Sequence, residues 1–190
     1  MILVVAVDST GLKVTNRGEW MREKWKVRRG WIKVHAMIDV ETNQILSLKE
    51  TDESTQDDQV FEMLLDQVEQ NCGGASVKSV LGDGAYDRNH CFNELEKRGI
   101  RSGIKTRINA SRRSSGSSNR AECVRERDDL GGYGPWAEKA NYGMRWKVEG
   151  LFSSIKRICG ESVRASSREG MFREAQMKFR GYNILLAMAQ

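Results

Sequence analysis

Ile2-Leu3-Val4-Val5-Ala6-Val7 is an uninterrupted apolar run that ends at Asp8, and it decides the fold of this chain. A strand that is apolar on both faces is covered on both faces, as is the central strand of an α/β sheet. The run has no basic segment before it and no small-residue cleavage site after it, so it is not typical of a signal peptide. The sequence therefore predicts a buried central strand with an acid at its carboxyl end.

Four further strands are predicted along the chain. Trp31 to Val40 alternates apolar and polar side chains, and a third strand follows at Gln44 to Lys49. Val77 to Leu81 and Ile100 to Lys105 are the fourth and fifth. Three strands joined by short links, followed by alternating helices and strands, predict an α/β fold with a mixed five-stranded sheet flanked by helices.

Helices are predicted in the intervals between these strands and after them. Thr55, with Asp58 at the third position, is predicted to cap one helix, and Asp87 is predicted to cap the next. A third helix contains Glu149, and the last runs from Met171 to Ala189.

Two basic stretches, about residues 12–30 and 106–135, are predicted to be mobile segments of a single domain that spans residues 1–190. Leu12 to Gly30 carries seven Lys and Arg interleaved with tryptophans, which predicts a linker or a basic hairpin. Asn109 to Asn119 is rich in Ser, Arg and Gly, which predicts a loop.

Composition excludes several classes of protein and indicates one kind of partner. There is no run of 18 apolar residues, so no membrane span is expected. The four cysteines form no C-x-x-C pair, which indicates reduced thiols in a cytosolic protein. Residues 1–100 hold 13 Lys and Arg against 17 Asp and Glu, whereas residues 101–190 hold 18 against 9. Such a basic half predicts a polyanionic partner, with nucleic acid the default; a basic tail that only aids solubility is the alternative.

Two acids are predicted to meet at one edge of the sheet. Asp8 follows the first strand and Asp83, between Gly82 and Gly84, follows the fourth. If these strands are parallel neighbours, both acids lie at the carboxyl ends where clefts form in open sheets. With Glu149 from a late helix packed across them, three carboxylates would suit two Mg²⁺ or Mn²⁺ ions acting at a phosphodiester. The alternative is that each aspartate only forms a turn after its strand.

A spacing of polar residues in the late helix supports the third acid. Tyr142, Arg145, Glu149 and Lys156 fall within a 60° stripe when each residue advances 100° around a helix. One face would then present a carboxylate, two cations and a phenol, which suits a metal ion beside a phosphate. The alternative is a solvated face of ion pairs.

These residues carry a resemblance to a known family. The chain resembles the DDE transposases of bacterial and archaeal insertion sequences, in particular the group with a Tyr-Arg-Glu-Lys signature. The motifs are Asp8-Ser9-Thr10-Gly11-Leu12-Lys13-Val14, Gly18-Glu19-Trp20, Gly82-Asp83-Gly84-Ala85-Tyr86-Asp87 and Tyr142-x2-Arg145-x3-Glu149-x6-Lys156. The resemblance runs from Val4 to about Ala187. It implies an RNase H-like fold, with Asp8, Asp83 and Glu149 as the catalytic, metal-binding triad.

The resemblance also implies how the chain would meet DNA. Arg145 and Lys156 would grip phosphates beside the scissile bond, and Tyr142 would orient the strand end or contact a phosphate. Six basic side chains would contact the flanking double-stranded DNA of the transposon ends and the target: Lys105, Arg107, Arg112, Arg113, Lys147 and Arg157. The alternative is that their charges are only solvated. Trp136 would stack on an unpaired base or pack in the core. A homodimer on DNA, in the cytoplasm of a prokaryote and associated with its nucleoid, is expected.

The chain departs from the family pattern at its beginning. Asp8 comes seven residues after Met1, so the usual end-recognition region is absent, and a truncated copy, a split gene product or an excised domain are all open. The 65 residues between Asp83 and Glu149 leave little room for an inserted β-domain. Two rival hypotheses remain: a catalytically inactive DNA-binding or regulatory remnant, and a sugar-kinase-like ATPase suggested by Asp8-Ser9-Thr10-Gly11.

Overall fold

A computed structural model describes residues 2–14, 30–73, 75–113 and 115–189 of the protein. Their strands are β1 Ile2–Val14, β2 Trp31–Asp39, β3 Ile45–Asp52, β4 Ser76–Gly82, β5 Arg101–Ile104 and β6 Ser162–Val163. Their α-helices are α1 Phe61–Asn71, α2 Asn89–Lys97, α3 Ser118–Asp129, α4 Tyr133–Lys139, α5 Trp146–Cys159 and α6 Arg168–Met188. Short 3-10 turns cover Asp57–Val60, Gly84–Tyr86 and Tyr142–Arg145.

One mixed sheet organises these elements. Its order is β3-β2-β1-β4-β5, and the two-residue β6 pairs with β1 beyond the end of β4. β1 is antiparallel to β2 and parallel to β4, and β4 is parallel to β5. This confirms the α/β fold, the mixed sheet and the parallel pairing of the first and fourth strands; it is the arrangement expected of an RNase H-like domain.

The two faces of β1 are buried in two separate cores. Val5 and Val7 pack with side chains of α1 and α2, whereas Ala6 and Leu12 pack with side chains of α5 and α6. The continuous apolar run of β1 is explained by this arrangement, because successive side chains of a strand point to opposite faces. The sheet thus separates two layers of helices.

β1 is longer than the sequence predicts. It continues past Asp8 to Val14 and stays paired with β2, so the expectation that Asp8 ends the strand is wrong. Leu12–Val14, predicted to open a basic linker or hairpin, belong to β1 instead. The remainder of that linker, residues 15–29, lies outside the described residues. Asp8 nevertheless stands where β1 loses its other neighbour, since pairing with β4 reaches only Ala6 and Leu81.

Both predicted helix caps are wrong. The turn at Asp57–Val60 begins after Gln56, and the Thr55 hydroxyl donates to Asp52 at 3.3 Å. α2 begins after Arg88, and Asp87 is buried and pairs with Arg120, its Oδ1 lying 2.7 Å from Nε. In each case another polar partner, Asp52 for Thr55 and Arg120 for Asp87, takes the side chain that the sequence assigned to the cap.

α3 lies where the sequence predicts a loop to Asn119 inside a mobile segment. Ser117 accepts from the Arg120 backbone N–H and begins the helix. Its buried residues are Ala121, Cys123, Val124 and Arg127. A buried arginine and an alanine give almost no apolar periodicity, which is why the pattern is invisible in the sequence.

Within the described residues, no helix combines the length and the apolar composition that a membrane span needs.

Candidate active site

Asp8 and Asp83 lie near the carboxyl end of β4, Asp8 within β1 just past its pairing with β4 and Asp83 directly after β4. Asp83 directly follows β4, and its Oδ1 accepts from the Ala85 backbone N–H at 2.8 Å. Gly82, just before it, is closely packed: a Cβ there would lie 3.2 Å from Val7 Cγ1 and 3.3 Å from Tyr86 Cδ2, so these side chains would have to shift by a few tenths of an ångström. This close packing sets the direction in which the chain leaves β4 toward Asp83.

The Asp8 carboxylate lies in surroundings that oppose its charge. Burial is the main cause that raises its pKa to about 6, and Asp83 and Glu149 add to the rise. The Ser9 backbone N–H, which donates to Asp8 Oδ1 at 2.8 Å, and Arg145 act in the other direction. All three predicted acids are therefore close enough to affect one another electrostatically.

Arg145 joins two of the three acids. Its Nη1 lies 3.0 Å from Asp8 Oδ2, and its Nη2 contacts Glu149 Oε1. Burial opposes the charge of this guanidinium, but Tyr142, Asp8 and Glu149 raise its pKa above the ordinary value. The arginine balances part of the negative charge that the acids concentrate here.

Tyr142 and Arg145 do not share a regular helix with Glu149 and Lys156. They form a 3-10 turn that ends where α5 begins, and Glu149 lies in the first turn of α5. The predicted single stripe is wrong in this respect, although the turn still brings Arg145 against Glu149. A carboxylate in the first turn of a helix is also stabilised by the helix dipole.

The donor chemistry of the three acids fits a hard divalent cation, but their present spacing does not form a coordination sphere. All three supply carboxylate oxygens, the ligands that Mg²⁺ and Mn²⁺ prefer. Asp83 and Glu149 both raise the pKa of Asp8, after burial as the main cause, so negative charge from more than one acid acts at this position. Among the described residues no three His, Cys, Asp or Glu side chains are arranged to hold an ion as they stand. The guanidinium of Arg145 lies between Asp8 and Glu149.

An aromatic cluster packs behind the arginine. The Tyr142 ring lies 5.4 Å from Trp136 and 5.8 Å from Tyr133, measured between centroids. Burial raises the pKa of Tyr142 above its ordinary value. Trp136 is only 3% exposed, which favours core packing over stacking on a base. Tyr133, which the sequence argument did not single out, is 40% exposed, and its place in the sequence near Trp136 and Tyr142 was the available signal.

Two of the predicted DNA-binding cations follow closely after β5, and Lys105 is the one beside Asp83. Lys105 is exposed, its backbone N–H donates to Gly82 O at 3.0 Å, and its Nζ lies 4.4 Å from the Tyr133 ring centroid. Arg107 is exposed too, and its backbone N–H donates to Asp87 at 2.9 Å.

Three further predicted cations, Lys147, Lys156 and Arg157, lie on α5 and differ in what they contact. Arg157 is exposed and Lys156 is half-buried. Burial lowers the pKa of Lys156, and Lys13 lowers it further against the opposing effect of Glu161. Lys147 donates to the backbone carbonyl of Val40, so in this structure its ammonium is bound by the protein itself.

The fold and the site together define a class: an RNase H-like domain with acidic side chains gathered near the carboxyl end of β4. Comparison with known protein families then identifies the family within this class. The model of the family described as "Transposase DDE domain" matches residues 1–184, and the chain belongs to that family. It is a DNA transposase domain, as the resemblance implied, and the kinase-like hypothesis has no support.

Proposed function

We propose that this chain is a divalent-metal-dependent nuclease and strand transferase that acts at transposon ends. Asp8, Asp83 and Glu149 would hold the ions. The observation that carries the proposal is the convergence of the three acids: Asp8 and Glu149 lie close enough to share Arg145, and Asp83 is near enough to raise the pKa of Asp8. When bound, a pair of Mg²⁺ or Mn²⁺ ions activates an attacking oxygen and stabilises the leaving oxygen at phosphorus.

The residues around the acids would bind and orient the DNA. The guanidinium of Arg145 has several N–H donors in one plane, which suits phosphate oxygens. Its Cζ lies 5.8 Å from the centroid of the Tyr142 ring. Lys156 would contact a phosphate farther along α5 as a point charge. Both place positive charge beside the scissile bond.

Two successive reactions would use this site. In the first, water attacks the phosphorus at the transposon end, the bond to the 3′ oxygen breaks, and that oxygen takes up a proton. In the second, the freed 3′-hydroxyl attacks a target phosphodiester, loses its proton and displaces a target 3′ oxygen. Neither reaction requires a covalent bond between protein and DNA.

Several narrower features belong to the same proposal. Lys105, Arg107 and Arg157 would follow flanking DNA; Lys147 would do so only after leaving the Val40 carbonyl. The chain would work as one domain, within the Tyr-Arg-Glu-Lys group, as a homodimer on double-stranded DNA of a prokaryotic nucleoid.

The test is strand transfer with a transposon-end duplex and Mn²⁺. Asp83→Asn and Glu149→Gln are expected to abolish cleavage and transfer while the proteins stay folded, as judged by circular dichroism. Asp66→Asn is a matched control, because Asp66 pairs with Arg98 away from the site. Transfer activity retained by either site variant would refute the assignment.

One observation favours a second candidate, an inactive DNA-binding or regulatory form. Arg145 occupies the space between Asp8 and Glu149, and no group of acids in the described part of the chain is arranged for an ion. Such a form would bind DNA with an affinity that falls by roughly 0.9 log unit per contacted phosphate for each log unit of salt. It would show no cleavage at any concentration in a Mn²⁺ titration, which separates it from the first candidate.

A further inference from the structure

An exposed apolar side chain lies at the tip of the turn that follows β5. Ile108 is 96% exposed. The Ala110 backbone N–H donates to Arg107 O at 3.0 Å and closes a β-turn with Ile108 and Asn109 at its central positions. Single apolar side chains are common on protein surfaces, so the meaning of this one depends on its surroundings.

The base of this turn is held by buried charged side chains. The Arg107 backbone N–H donates to Asp87 Oδ2 at 2.9 Å, and Arg127 Nη1 donates to Arg107 O at 2.8 Å. Asp87 and Arg127 are both buried. The Arg107 side chain itself is exposed, with Nε 4.0 Å from the same Asp87 oxygen. Because the base is fixed and Ile108 is branched at Cβ, the tip of the turn loses little conformational freedom when a partner covers it.

The chain around the turn carries positive charge, which indicates the kind of partner. Residues 101–120 hold six Lys and Arg and no Asp or Glu. Arg113 is exposed, like Arg107 directly before the tip. Arg112 is compensated by Asp129, since its Nη2 lies 2.6 Å from Asp129 Oδ1. The turn therefore combines an apolar tip with exposed cations, which fits a groove of a polyanion.

The turn also lies near the candidate active site. Lys105, two residues before Arg107, donates its backbone N–H to Gly82 O at 3.0 Å, and Asp83 follows Gly82. The chain belongs to the transposase DDE domain family, whose substrate is DNA. A duplex with one phosphodiester at the acids extends over further base pairs on either side, which brings the flanking DNA close to the turn.

We propose that Ile108 is a wedge that enters the minor groove of the flanking duplex and partly separates two stacked base pairs, while Arg107 contacts a phosphate beside it. Apolar side chains inserted in this way kink a duplex by about 20–90°. The inference rests on the proposed function for the edge of the protein at which the DNA lies. It requires no metal ion, so it is tested without one.

The first test is the bend of a duplex of about 20 base pairs that carries one fluorophore at each end, in EDTA. Wild type should raise the energy transfer between the fluorophores, because a kink shortens the distance between the ends. Ile108→Ser should lose this rise, and Ile108→Met, which keeps an apolar side chain, should retain it. Ile108→Ser should leave the slope of log affinity against log salt unchanged, whereas Arg107→Gln should reduce that slope by about 0.9.

A second test uses a duplex with one mismatched base pair. A mismatch lowers the cost of unstacking, so wild type should bind this duplex about tenfold more tightly than the matched one. Ile108→Ser should bind the two duplexes equally. Fluorescence anisotropy measures both affinities.

Ile184→Ser is the matched control, because it changes the same type of side chain at the opposite edge of the sheet. Ile184 is 63% exposed on α6, and Asn183 beside it hydrogen-bonds to both backbone polar groups of Ile45 on the edge strand β3. Ile184→Ser should bend the duplex and prefer the mismatch as wild type does.

The outcomes separate the two proposals. If wild type does not bind duplex DNA, the proposed function fails and this inference fails with it. If wild type binds but does not bend the duplex, or if Ile108→Ser bends it as much as wild type does, the inference alone is refuted. Equal losses in Ile108→Ser and Ile184→Ser would also refute it, because the effect would not belong to the turn.

Discussion

Asp8 is a carboxylic acid whose charge costs free energy in the folded, metal-free chain. Its pKa rises from 3.8 to about 6, with burial the largest cause. An acid whose pKa is raised by folding binds its proton more tightly in the folded state. It stabilises the fold below pH 4, and this contribution is lost as the pH rises through about 6.

Replacing Asp8 with Asn should therefore change how stability depends on pH. Asn resembles the protonated acid, so the difference in unfolding free energy between Asp8→Asn and wild type should grow between pH 4 and 7, by about 3 kcal/mol at most. Urea unfolding in EDTA across this pH range measures it. Asp66→Asn serves as the control, and a difference that is flat with pH would contradict the prediction.

The helical spacing used on the sequence also shows where residue-scale prediction succeeds and fails. It placed Arg145 beside Glu149, but the contact of Arg145 with Asp8 joins residues 137 apart in the chain and leaves no local pattern. The same 100° geometry puts Lys147 on the far side of α5 from Lys156, where it meets Val40.

At the scale of elements, the strands were predictable and the segment before α5 was not. β1 to β5 follow apolar runs or alternation, the signal that burial in a sheet imposes. α3 has no such signal, because it is held partly by polar contacts: Arg120 with Asp87, and Arg127 with Thr106 at 2.9 Å. Partners this distant in sequence become visible only when the chain is folded.

Removing Arg120 should destabilise the protein and loosen α3. Asp87 is fully buried and Arg120 makes two hydrogen bonds to it, at 2.7 and 3.0 Å. Arg120→Ala leaves that carboxylate undercompensated, which should cost about 2–4 kcal/mol. Urea unfolding gives the cost, and faster amide exchange confined to α3 gives the location.

Two comparisons test the mechanism. Arg112→Ala removes an exposed pair with Asp129 and should cost less than about 1 kcal/mol. Adding Asp87→Asn to Arg120→Ala should recover part of the loss, because the buried charge is gone. An Arg120→Ala protein as stable as wild type would show that Asp87 is neutral in the fold.

For the molecule as a whole, the sheet brings acidic and basic parts of the chain to one edge. Asp8 and Asp83 come from the half of the sequence in which Asp and Glu outnumber Lys and Arg. Arg145, Lys156 and Lys105 come from the other half. Charge counts predicted a polyanionic partner, and family membership confirms DNA. Only the folded chain shows which cations lie near the acids and are free of other partners.

Lys105 is the cation whose removal should be most informative for DNA binding. Its ammonium lies over the exposed ring of Tyr133, and its backbone N–H donates to Gly82, the residue before Asp83. Lys105→Gln should weaken binding to any duplex sequence and reduce the slope of log affinity against log salt by about 0.9. Fluorescence anisotropy between about 50 and 200 mM salt measures the slope.

Lys97→Gln is the matched control, because Lys97 is exposed on α2 and pairs with Glu94 at 3.5 Å. It should leave the slope unchanged. Equal effects of the two substitutions would indicate that DNA senses only the overall charge of the protein.

The contact of Arg145 with both Asp8 and Glu149 has a consequence for the order of folding and metal binding. Arg145 already offsets part of the repulsion between Asp8 and Glu149. We therefore expect the chain to fold in the absence of any metal ion. The metal ions would then bind after the chain has folded. Small zinc domains differ, because they stay unfolded until zinc binds. A chelator should abolish the catalytic activity of such a protein without unfolding it. Adding the metal ion back should restore the activity without a refolding step.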